Sequence, residues 1–103
     1  MVCQADQQID DASTTELWSL YIIENRLGHL YTGVTTDVAR RFDEHQRSGA
    51  RCARSLRGKG PLRLRFSCPV GDKGRALRLE RRIKKLSRLK RLAIIDSGRL
   101  PDE

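Results

Sequence analysis

The chain has 103 residues, 38% of them hydrophobic, and its 21 Lys and Arg against 13 Asp and Glu give a formal net charge of +8. That length allows one domain with a modest core. No apolar run approaches the roughly 20 residues of a membrane-spanning helix, and no basic start followed by an apolar segment marks a secretory leader, so a cytoplasmic protein is expected.

The charge is unevenly placed. Residues 1–24 hold five acids and no Lys or Arg, whereas residues 35–95 hold nineteen basic residues against five acids. Positive charge concentrated on a small domain attracts polyanions through phosphate contacts and counterion release, which makes nucleic acid the expected partner. A lipid surface fits less well, because no clearly apolar exposed face accompanies the charge. Cys3, Cys52 and Cys68 are an odd number without a CxxC pair. That pattern argues against a disulfide framework or a structural zinc site, and for plain thiols in a reducing compartment.

In chain order, residues 1–16 are polar and acidic without periodicity, which predicts a disordered tail. Leu17–Ile23 is apolar at successive positions, as a strand covered on both faces would be, with Trp18, Leu20 and Ile22 on one side. Asn25 and Gly28 supply turn chemistry, and Leu30–Val34 reads as a second strand with Gly33 in its interior. A turn centred on Arg26 places Tyr21 opposite Tyr31, their Cβ atoms roughly 5 Å apart on one face. Gly33, lacking a side chain, lets a ligand or another backbone come close. A helix is expected over Thr36–Gln46, with Val38, Phe42 and His45 facing inward, Arg41 on the border of that face, and Arg41 and His45 four residues apart.

Arg47–Pro61 contains Gly49, Gly58 and Gly60 among basic residues and no aromatic residue. It reads as a flexible basic loop able to follow a phosphate backbone without reading bases, with Arg51, Arg54, Arg57 and Lys59 as the candidate contacts. It lacks the GxxxxGK[ST] pattern of a nucleotide-binding P-loop. Leu62–Cys68 alternates apolar and basic residues, predicting a third strand with Leu62, Leu64, Phe66 and Cys68 inward and a break at Pro69. Lys73–Leu86 is a basic amphipathic helix whose buried stripe is Ala76, Leu79, Ile83 and Leu86, with Glu80 beside the stripe. Ser87–Ser97 is a further helix with Leu89, Leu92, Ala93 and Ile95 as packing residues, ended by Gly98. The elements run ββαβαα: an α+β domain over 17–97, in which a small three-stranded antiparallel sheet is flanked by three helices, and a short tail over 98–103.

Ser19-Leu20-Tyr21 and Tyr31-Thr32-Gly33, followed by Arg41 and then Glu80, resemble the ordered signature of the GIY-YIG nuclease superfamily. The run LYTGVTTDVARR and the segments Arg57–Pro61 and Ala76–Leu86 are similar to its small stand-alone bacterial branch (YhbQ-like proteins). The resemblance covers about Leu17 to Ile95. Ser19-Leu20 stands in for Gly-Ile and Thr32 for the second Ile. Val34 stands where several members carry a lysine or another polar residue, and no Asn follows Asn25.

The resemblance implies the same sheet-and-helix architecture and a metal-dependent endonuclease acting on nucleic acid, with DNA expected over RNA. Within it, Glu80 is the ligand of one Mg²⁺ or Mn²⁺, Arg41 contacts the phosphate, and Tyr21 and Tyr31 stand at the attacking water. His45 is a further candidate for proton transfer. The chemistry suits these types: a lone carboxylate can hold a hydrated hard cation, and a guanidinium donates charge-assisted hydrogen bonds to phosphate. A phenol needs nearby positive charge to act as a base. The alternative is a basic nucleic-acid-binding module without catalysis, whose charge pattern would be identical.

Overall fold

The computed structural model describes residues 17–47, 49 and 51–101. The expected order ββαβαα is observed: β1 Trp18–Glu24, β2 Leu30–Thr35, α1 Val38–Gln46, β3 Arg63–Gly71, α2 Lys73–Lys84 and α3 Arg88–Ser97. The three strands form one antiparallel sheet in the order β2-β1-β3. The predicted tail over 1–16 lies outside the described residues.

The unbroken apolar run of β1 follows from its central position. Leu20, Tyr21, Ile22 and Ile23 are all buried because both faces of the sheet are covered. On one face Leu20, Ile22, Phe66, Cys68 and Val70 meet Ala76, Leu79 and Ile83 of α2 and Ile94 of α3, with Trp18 packed at the edge. On the other, Tyr21 and Ile23 meet Cys52, Leu56 and Leu62, with Tyr31, Val38 and Phe42 packed against them. The first face holds most of the apolar core; the second carries the polar cluster described below. Cys52 and Cys68 are buried and form no disulfide.

Each helix begins on a side-chain cap. Asp37, Asp72 and Ser87 accept hydrogen bonds from the backbone N–H of Arg40, Arg75 and Lys90, each cap contributing about 1 kcal/mol. The capping role of Asp37 is why α1 starts at Val38 rather than Thr36. Gly98 closes α3 in the left-handed conformation, at φ 71°.

The hairpin between β1 and β2 is centred on Leu27 rather than Arg26. Asn25 is buried, its Oδ1 accepts from the backbone N–H of Leu27 and His29, and Gly28 takes φ 85°. These bonds make Asn25–His29 one turn unit. Tyr21 therefore pairs with Gly33, and Tyr31 with Ile23. The shift is two residues, so both tyrosines keep a common face, but they are diagonal neighbours rather than opposed.

Three other expectations are corrected. β3 runs through Pro69 to Gly71, because it is an edge strand, where a missing backbone donor is tolerated. A register shift opposite Ile22 and Ile23 rotates β3, so that Phe66 and Cys68 pack on one sheet face, Leu62 packs on the other, and Leu64 is exposed. In α3 the buried residue is Ile94, while Leu89 is 77% exposed and Ala93 faces solvent. Ile94 and Ile95 pack against the core cluster, and the Arg91 guanidinium reaches the Leu30 carbonyl of β2. Beyond α3, Leu100 is buried in the core, which carries the packed part of the chain past Ser97.

The Thr32 hydroxyl is buried and has no hydrogen-bond partner. An unpartnered buried donor costs about 1–3 kcal/mol, so Thr32→Val, which keeps the shape, is expected to stabilise the fold by about 1 kcal/mol. The measurement is the urea or thermal unfolding midpoint; a lower midpoint in the variant would show that the hydroxyl is in use.

Candidate active site

The pairing of Tyr21 with Gly33 determines the centre of the second sheet face. A Cβ on Gly33 would lie 2.5 Å from the Tyr21 hydroxyl and 2.6 Å from Cζ. Glycine is therefore required there by the phenol of the neighbouring strand. The space over Gly33 holds Tyr21, so Gly33 is not an opening for a ligand.

The Tyr21 ring is 2% exposed, and its hydroxyl lies 3.0 Å from Nε2 of His45, a residue with no exposed surface. The other ring nitrogen, Nδ1, accepts from the backbone N–H of Ala53 at 3.2 Å. A backbone amide only donates, so Nδ1 is bare, and in a neutral ring the proton sits on Nε2 and is donated to the Tyr21 oxygen. Burial, with a smaller contribution from the charge of Arg41, pushes the His45 pKa down to about 4, which keeps the ring neutral. With both nitrogens engaged and no solvent contact, His45 positions Tyr21 and has no free site for proton exchange. Burial likewise pushes the Tyr21 phenol well above its ordinary range; Tyr31 adds to the rise, and Arg41 partly opposes it.

Tyr31 stands beside this pair, with ring centroids 6.2 Å from Tyr21 and 5.4 Å from His45. It is only partly buried, so it is the tyrosine that solvent reaches. Lys84 Nζ lies 5.8 Å from its ring centroid. Arg41, one turn before His45 on α1, is close enough to Tyr21 for its charge to act on the phenol. Its Nη1 donates to Glu44 at 3.0 Å and to the Arg51 carbonyl at 2.7 Å. These partners leave further donors of the guanidinium fork unassigned.

Glu44 has no part in the sequence reading, yet it ties the arginines together. Its carboxylate lies 3.0 Å from Arg40, 3.0 Å from Arg41 and 3.6 Å from Arg51, and the hydrogen bond from Arg41 holds its pKa below the ordinary carboxylate range. The spacing Arg40–Glu44 at i,i+4 and Arg41–Glu44 at i,i+3 was the available signal. The three arginines and Glu44 line an open bowl of about 470 Å³ with Trp18, Val34, Thr35 and Thr36.

Glu80 is on α2, its Oε2 3.2 Å from Lys84 Nζ, so Lys84 links it to Tyr31. Among the described residues no three of His, Cys, Asp and Glu gather as a ligand cage. Glu80 thus fits only a hard cation that takes its remaining ligands from water and substrate oxygens, and Lys84 would have to yield its place.

The 49–62 segment is less free than its glycines suggest. Cys52 and Leu56 are buried in the core cluster, and turns close from Cys52 to Gly49 and from Leu56 and Arg57 to Ala53. Of its candidate contacts, Arg51 reaches the bowl and Arg54 is exposed, while Arg57 turns back to the Cys52 carbonyl. Lys59 is partly buried, and its carbonyl accepts from the backbone of Arg26.

Residues 17–93 match the family model described as the GIY-YIG catalytic domain, which defines a nuclease-type domain working on nucleic acid. The chain is 60% identical to the UPF0213 protein SG0387 of Sodalis glossinidius over 72% of its own length and 67% of that protein's. It is 51% identical to a UPF0213 protein of Yersinia pestis over 82% and 87% of the two chains. The solution NMR structure of the UPF0213 protein BH0048 from Bacillus halodurans superposes with a TM-score of 0.50 at 38% identity, covering 78% of this chain and 83% of that one. The chain belongs to the GIY-YIG family, in the group of small bacterial UPF0213 proteins. No described helix is long and apolar enough to cross a membrane.

Gly33→Ala forces the Tyr21 ring off its place. It is expected to destabilise the protein by about 1–3 kcal/mol, the usual cost of overpacking, measured by urea unfolding. An unchanged midpoint would contradict the close contact of Tyr21 with Gly33.

Proposed function

We propose that this protein is a divalent-metal-dependent endonuclease that hydrolyses phosphodiester bonds in nucleic acid, DNA foremost. The observation that carries the reading is the convergence of Tyr21, Tyr31, His45 and Arg41 from two strands and a helix, with Tyr21 locked 3.0 Å from His45. Polar side chains from three elements have no packing reason to meet, and an uncharged buried pair beside a guanidinium is a poor stabilising device.

In this reading Arg41 grips a non-bridging phosphate oxygen, already oriented by Glu44 and the Arg51 carbonyl. Its charge is worth most as negative charge builds on the phosphate. Tyr31, reached by solvent and close to Lys84, orients the attacking water. Tyr21, held protonated by its burial, offers its hydroxyl hydrogen within the cluster and keeps Tyr31 and Arg41 in register. Glu80 would hold Mg²⁺ or Mn²⁺; when bound, such an ion supplies positive charge at the phosphate and lowers the pKa of water. The exposed basic residues of α2 and of the 51–59 segment bring the polyanion to the site.

The competing reading, a binding module without catalysis, draws on one contact: Glu80 is paired with Lys84, as an ordinary surface glutamate would be. Cleavage of single-stranded, duplex and branched substrates with Mg²⁺ or Mn²⁺ separates the two. Glu80→Ala is expected to abolish cleavage while leaving affinity equal or slightly higher, because an acid is removed from a basic surface. Arg41→Ala is expected to lower both, and Tyr31→Phe to lower turnover alone. If wild-type protein and Glu80→Ala bind the panel alike and neither cuts any member, the module reading replaces the nuclease reading.

A further inference from the structure

The bowl beside Arg41 has features that phosphodiester cleavage does not require. It sits at the end of the sheet where β1 begins and β2 ends, near the paired residues Ser19 and Thr35. Arg41 is shared between the two: its charge acts on Tyr21, and it lines the bowl. A strand whose phosphate rests on Arg41 is therefore led toward the bowl.

Its lining divides into two kinds of surface. Trp18 and Val34 form an apolar wall, and Trp18 is the single tryptophan of the chain. It is partly exposed and packed against the core on its inner side, and Lys73 Nζ stands over its ring at 5.6 Å, so a base that stacks on Trp18 displaces Lys73. Arg40, Arg41 and Arg51 line the same bowl, with Glu44 the one acid among them. Arg51 is the least restrained: its side chain is 77% exposed and its distance to Glu44 is 3.6 Å, against 3.0 Å for the other two. It can leave the carboxylate for a phosphate at little cost, since an exposed ion pair contributes about 0–1 kcal/mol. An aromatic side chain beside cationic ones is the arrangement that holds single-stranded nucleic acid without sequence preference.

We propose that this bowl is a subsite for the nucleotide adjoining the phosphate on Arg41: its base stacks on Trp18, and its own phosphate is taken by Arg51 with Arg40. The proposal rests on the nuclease reading for the placement of phosphate on Arg41. Stacking on a side chain requires an unpaired base, so the subsite selects strands that are single, frayed or branched next to the cut.

The single tryptophan makes the subsite observable without catalysis. A short oligothymidylate and an abasic oligomer of equal length are titrated in metal-free buffer, binding being followed by anisotropy of a labelled end and stacking by Trp18 emission. Saturable quenching by the oligothymidylate and none by the abasic strand is expected. Arg51→Ala, at an exposed position, is expected to raise the quench-monitored Kd roughly fivefold or more without altering the fold. Oligothymidylate that binds by anisotropy while Trp18 emission stays constant would overturn the subsite and leave the nuclease reading standing. Equal quenching by the abasic strand would overturn base stacking. Absence of binding by either strand would overturn the subsite, and the nuclease reading would then be decided by the cleavage panel alone.

Discussion

The site depends on one close contact, the phenol of Tyr21 lying over Gly33 with its oxygen against His45. The fold must satisfy this contact from three directions. The hairpin turn must place Gly33, and no other residue of β2, across from Tyr21. Helix α1 must present His45 inward, and the segment after it must bring the Ala53 amide to Nδ1. Nothing polar is left over: each polar atom of the buried pair has a partner, which is the condition for burying them at all. Once Tyr21 is fixed, Tyr31 and Arg41 have defined neighbours, and the remaining freedom lies in Glu80 and Lys84 at the edge of β2.

The two faces of the sheet divide the work. Most of the large aliphatic side chains are on the α2 and α3 side. The other side has a smaller apolar cluster, covered by α1 and a segment of turns anchored by Cys52 and Leu56. A thinner cover leaves an edge where Tyr31 and Arg41 reach solvent while Tyr21 and His45 stay dry. Glu44 serves the same end for charge. Arg40, Arg41 and Arg51 would repel one another if left to themselves; the shared carboxylate lets them stand within one bowl. Exposed pairs of this kind add little to stability, so their consequence is geometric.

Much of this was legible in the residues. Strand and helix order followed from hydrophobic periodicity, and the two-sided burial of β1 from its unbroken apolar run. The misses have physical causes. The hairpin register turned on the Asn25 side chain bonding two backbone amides, which residue spacing cannot reveal. A bulge in β3 moved Leu64 to the surface, and bulges leave almost no trace in an alternating pattern. In α3 apolar residues occur on several faces, so the pattern alone does not select Ile94 as the buried one. Glu44 was passed over because an acid within a basic helix reads as a surface ion pair, and only the fold shows three arginines meeting on it.

The central claim is that His45 is a neutral, Nε2-protonated donor locked onto Tyr21. It is tested most directly by the ¹⁵N shifts of the imidazole nitrogens in a His29→Gln variant, which leaves a single histidine. The account predicts a protonated Nε2 and a bare Nδ1 that persist while pH is lowered through the ordinary histidine range near 6.5, with protonation delayed to about pH 4. A ring that is protonated at Nδ1, or that titrates as an ordinary solvent-exposed histidine, would contradict it.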